Sequence, residues 1–83
     1  MLKITARSLK TSQEILWTHT AKTDDPIEAV QRAINKKYTR SCSFHKEREI
    51  SSETRWIGQV FRPYAGSFTS VTSRIAIDID PVE

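Results

Sequence analysis

The chain has 83 residues and a mass of 9.5 kDa, with 37% hydrophobic residues, a mean hydropathy of −0.50 and a formal net charge of +3. One domain is expected, because two cores would leave roughly 40 residues each, too few to fold unaided. Ser and Thr together number 18, against two Gly, three Pro and one Cys, which excludes collagen-like, linker-like and disulfide-framework chains.

In chain order, Leu2, Ile4 and Ala6 alternate with Lys3, Thr5 and Arg7, the pattern of a half-buried strand. The polar stretch Lys10-Thr11-Ser12-Gln13 leads to a second alternating set, Ile15, Trp17, His19 and Ala21, so the two form a hairpin. A helix is predicted over residues 25–38. Asp25 is its N-cap, Pro26 suits the first helical position, and Glu28 completes an Asp-x-x-Glu capping box. Ile27, Val30, Ala33, Ile34 and Tyr38 recur at three- to four-residue spacing and define its apolar face. Lys36, Lys37 and Arg40 fall in or just past its last turn, where cations favour the helix dipole.

A third strand starts at Cys42 and Phe44 and runs towards Ile50; Ser51-Ser52-Glu53 then reads as a turn. Arg55 to Arg62 forms a fourth strand. Its faces are ambiguous, because Trp56, Gly58, Val60 and Arg62 share one parity while Ile57 and Phe61 share the other. After the break at Pro63-Tyr64-Ala65-Gly66, Phe68 to Ile79 makes a long final strand. Val71, Ile75, Ile77 and Ile79 share one face of it, and Thr72, Arg74 and Asp78 the other. Met1 and residues 81–83 are candidates for fraying. The order ββαβββ predicts a single α+β domain, an antiparallel sheet with one helix packed on one face. No strictly apolar run exceeds three residues, as in Ile15-Leu16-Trp17, far below the ~20 that span a bilayer. With the lone cysteine, this leads us to expect a soluble, cytoplasmic protein with no membrane partner.

Catalytic and metal chemistry find little foothold. Cys42 and His45 have Cys-x-x-His spacing and His19 is the other imidazole, one ligand short of a structural zinc site; extended backbone also points positions 42 and 45 to opposite faces. Gly58 and Gly66 make no phosphate-cradling loop, no nucleophile-elbow motif is present, and Asp78 and Asp80 read as solvent-facing charges. We therefore expect no catalytic residues, no metal and no cofactor, and a binding protein instead of an enzyme.

Two binding readings remain. Trp, Tyr and Arg dominate protein interfaces, and Arg55, Trp56, Arg62 and Tyr64 are the expected anchors of a protein-docking surface if Ile57 and Phe61 face the helix. The long, β-branched final strand would invite strand addition, including a homodimer, if it lies at a sheet edge. The alternative is nucleic-acid binding. Residues 36–62 carry seven Lys or Arg against three acids and the pI is about 9.3, so Lys36, Lys37, Arg40, Lys46 and Arg48 are the candidate phosphate contacts.

In size and element order, with one cap-started helix followed by an antiparallel meander and no catalytic motif, the chain resembles the small phage-encoded inhibitors of bacterial defence, the anti-CRISPR proteins. No sequence motif is shared, so no residue is carried over. The resemblance implies stoichiometric docking on a nucleic-acid-handling complex. A basic chain departs from DNA mimicry and would dock on acidic protein surface or touch guide RNA.

Overall fold

The computed structural model describes residues 1–11, 14–38, 42–50, 55–63 and 69–82, and of residues 63 and 69–73 the backbone alone. Five strands and one helix follow in the order β1 (Leu2–Ser8), β2 (Ile15–Ala21), α1 (Pro26–Lys37), β3 (Ser43–Ile50), β4 (Arg55–Pro63) and β5 (Thr69–Pro81). This is the expected ββαβββ α+β architecture, with every neighbouring pair antiparallel. The spatial order is β2-β1-β5-β4-β3.

That order corrects one expectation. The final strand is central, in register with β1 from Ile75 to Pro81 and with β4 from Thr69 to Asp78. Over Ile75–Asp78 both sides of β5 are already paired, so strand addition there has no free edge. The edges belong to β2 and β3, and α1 carries the chain from one to the other. Met1, Pro81 and Val82, expected to fray, are held in place, and Glu83 lies outside the described residues. Pro81 pairs with Leu2, and the Val82 amide donates to the Met1 carbonyl at 2.9 Å.

The core lies between α1 and one side of the sheet. Ile4, Ala6, Val60, Ile75, Ile77 and Ile79 from the strands meet Ala29, Val30, Ala33 and Ile34 from the helix. A fully buried Ile or Val of this kind contributes roughly 1.5–3 kcal/mol. Small residues at positions 29 and 33 let the helix lie close to the sheet. Ile27 does not join them. Although it follows the helical period, it is 73% exposed, because it sits in the first turn, at the rim of a gap that faces Phe44, Lys46 and Trp56.

The helix start also differs in detail from a capping box. Asp25 is the N-cap and accepts from the Ile27 amide at 3.0 Å. Glu28 instead accepts from the Thr23 hydroxyl and pairs with Arg32, while the Asp25 amide donates to Thr23 Oγ1 at 3.2 Å. Thr23 thus fills the reciprocal role assigned to Glu28. No helix among the described residues is long and apolar enough to cross a membrane.

Candidate functional site

The parity of β4 decides which of its residues can reach a partner. Trp56 and Val60 face the helix and belong to the core; Trp56 is only 8% exposed. Ile57 and Phe61 therefore face away, the reverse of the arrangement needed for Trp56 to stand on the far side of the sheet. Arg55 lies on that far side, bonded to Asp78 through Nε and a terminal nitrogen at 2.5 and 2.9 Å. Arg62 is exposed at the end of β4, and Tyr64 lies outside the described residues. The four expected anchors consequently do not form one patch, since Arg55 and Trp56 are on opposite faces.

The nucleic-acid candidates are likewise divided. Lys36 and Lys37 end the helix beside His19 on β2; burial, then Lys37 and Lys36, hold that imidazole's pKa below its usual range. Lys46 lies on the helix side, its Nζ 4.5 Å from the centre of the Trp56 ring and paired with Glu49. Arg48 pairs in register with Ile57 on the far side, and Arg40 lies outside the described residues. Cys42 is buried on the helix side, and His45 packs edge-to-face against Phe61 on the other, with ring centres 5.9 Å apart. Among the described residues no three His, Cys, Asp or Glu side chains are grouped as a metal would require.

What the fold does create is a groove of about 220 Å³ between the start of α1 and the β3–β4 pair, lined by Ile27, Val30, Gln31, Phe44, Lys46 and Trp56. Gly58 shapes it from below. It is in phase with Trp56 and Val60, and a Cβ there would stand 2.2 Å from the His45 carbonyl oxygen and 2.7 Å from Phe44 Cζ. The missing side chain lets the Phe44 ring lie across β4. Above, Gln31 is fixed by bonds from its Nε2 to Asn35 Oδ1 at 2.9 Å and to the Cys42 carbonyl at 3.2 Å. The indole N–H of Trp56 is buried and has no acceptor among the described residues, an arrangement that costs about 1–3 kcal/mol.

The far side of the sheet is organised by charge. Asp78 accepts from Arg55 and also from Arg7 Nε at 2.7 Å; the Arg55 hydrogen bond is the main cause holding its carboxyl below the usual range, with Arg7 adding to it against the opposing effect of burial. Glu47, the extra residue of a bulge in β3, accepts from Gln59 at 3.2 Å and from Arg74 at 2.7 Å. Thr5, Ile57 and Ala76 are buried among these groups. Asp78 is therefore an ion-paired structural residue, while Asp80 is exposed.

The sequence reading missed the groove because its walls come from residues 27, 44 and 56, which no linear motif joins. The one local signal is a glycine flanked in phase by Trp56 and Val60. No protein family, curated protein or solved structure matches the chain.

Proposed function

We propose that this chain is a non-enzymatic docking module that takes an apolar side chain of an extended protein segment into the groove between α1 and β3. The observation that supports it is the coincidence of an open apolar groove with a buried indole N–H that has no acceptor among the described residues. An apolar pocket with a few polar groups that fix orientation is the usual form of such a binding site. An acceptor on the bound segment, reached as Lys46 shifts off the Trp56 ring, would satisfy the orphan N–H and recover part of its cost. Ile27, exposed at the rim, supplies apolar area to the contact. The buried lone thiol of Cys42 suits a cytoplasmic setting. The narrower reading, an inhibitor docked on a nucleic-acid-handling defence complex, rests on the resemblance in size and element order alone. Direct nucleic-acid binding is the competing class, and the division of Lys36, Lys37, Lys46 and Arg48 among separate surfaces weighs against it.

The test is to select binding peptides from a random display library and titrate them into isotope-labelled protein. The two indole N–H signals report separately, one from each side of the helix. We expect selected peptides to move the Trp56 signal and leave that of Trp17 in place. Ile27→Asp should weaken binding at least about tenfold with an unchanged melting temperature, since an exposed acid in a first helical turn is favourable. Peptides that move Trp17 and β2 instead would overturn the proposal. So would tight duplex or single-strand binding that falls steeply with salt.

A further inference from the structure

The two edges of the sheet are guarded unequally. β3 carries the alternating charges Lys46, Glu47, Arg48 and Glu49 and a bulge at Glu47, features that discourage another strand from pairing. β2, Ile15–Ala21, contains no Asp, Glu, Lys or Arg. Ile15 and Leu16 at its start are 52% and 45% exposed, and Thr18 and Thr20 are exposed along it. Its own irregularity, the extra residue Leu16, lies outside the regular Trp17–Ala21 stretch.

The charges resume on either side of β2, with Glu14 just before it and Lys22 just after it, both exposed. A strand that is acidic at one end and basic at the other is complementary to a second copy of itself, provided the two run antiparallel. Parallel pairing would set acid against acid and base against base. We infer that β2 is a homodimer seam, two copies pairing antiparallel about a two-fold axis near Thr18 so that Glu14 of each protomer meets Lys22 of the other. Such an interface is isologous and closes at two chains. It joins two five-stranded sheets into one of ten strands, with β3 and its groove at each outer end. The dimer would present two grooves, which a bivalent partner can engage with a gain in avidity.

Sedimentation equilibrium from ~5 μM to ~1 mM tests the seam over the affinity range expected of a small interface. The wild type should show a reversible monomer–dimer equilibrium. Glu14→Lys and Lys22→Glu should each weaken it about tenfold, because either change turns two opposite-charge contacts into like-charge ones. Mixing the two variants should restore dimerisation, since both contacts in the mixed dimer are again between opposite charges. A wild type monomeric at ~1 mM overturns the inference. So do single variants that associate like the wild type, or a mixture no better than its components. Unchanged melting temperatures keep these results separate from misfolding, and peptide binding at the groove is measured independently of them.

Discussion

Trp17 and Trp56 lie on opposite sides of the same helix and are treated differently by it. Trp17, half-buried on β2, donates its indole N–H to the Tyr38 hydroxyl at 3.2 Å, and the two rings meet edge-on with centres 6.1 Å apart. The end of the helix is thereby closed onto the sheet. Trp56, more deeply buried on β4, meets the helix start, where Ile27, Val30 and Gln31 line the gap and its N–H finds no acceptor among the described residues. There the helix stands off and the groove opens. Equal residue types under one helix thus give a finished contact on the β2 side and an unfinished one on the β3 side. The contrast separates packing that holds the domain together from packing left available to a partner.

The strongest way to break the comparison is to remove the feature that keeps the β3 side open yet ordered. Gly58→Ala drives a methyl into the His45 carbonyl oxygen and the Phe44 ring, and backbone on one side leaves little room to yield. We expect a loss of about 3 kcal/mol in urea unfolding, at the upper end of the usual cost of overpacking. A loss below about 0.5 kcal/mol would mean that β3 is not held against β4 in the way described, and that the groove has no fixed wall.

The next largest effect should come from the residue that joins the two halves. Asp78 on β5 holds Arg7 of β1 with one oxygen and Arg55 of β4 with both, and its side chain is 16% exposed. Asp78→Asn leaves two guanidinium groups without their counter-charge, at a cost of about 2 kcal/mol. The sign of the pH dependence follows from the lowered carboxyl pKa. Asp78 favours the folded state fully above the ordinary carboxylate pKa near 4, and its contribution disappears as pH falls through the lower folded value. Acid titration of stability should therefore be shallower below pH ~4 in Asp78→Asn than in the wild type. Equal slopes would show that the ion pairs add nothing.

Local periodicity and turn residues made the helix, all five strands and their order along the chain legible, because each depends on neighbours within a few positions. The place of β5 at the centre was not legible, since pairing of β5 with β1 joins residues 67 to 79 positions apart. The faces of β4 stayed open for a different reason. Trp56 with Val60 and Ile57 with Phe61 are both apolar pairs, and only the far-side charges of Arg7, Arg55 and Asp78 show how Ile57 is covered without a second layer. Ile27 misled because a helix's apolar period continues past the edge of the surface it packs on. In the sequence Asp78 and Asp80 look alike; register alone sets one between two arginines and leaves the other exposed.

The smallest effects test the two tryptophan contacts against each other. Tyr38→Phe keeps the ring against Trp17 and removes only the hydroxyl, so a partly buried indole N–H loses its acceptor. The expected cost is about 1 kcal/mol. On the other side, Lys46→Met keeps the stem over Trp56 and removes the ammonium, which gives up an exposed cation–π contact and an exposed ion pair with Glu49. Each is worth at most about 1 kcal/mol, and uncovering the groove's apolar wall with a thioether that packs on aromatics offsets part of the loss. The net change should be about 0.5 kcal/mol or less. The difference between the two variants is the informative quantity, since both keep the ring contact and remove a polar group from above a tryptophan. If Tyr38→Phe costs more, the β2 side is the one whose polar contacts are complete. Equal costs would mean that Lys46 closes the β3 side as fully as Tyr38 closes the other, and a groove that is already closed has nothing to offer a partner.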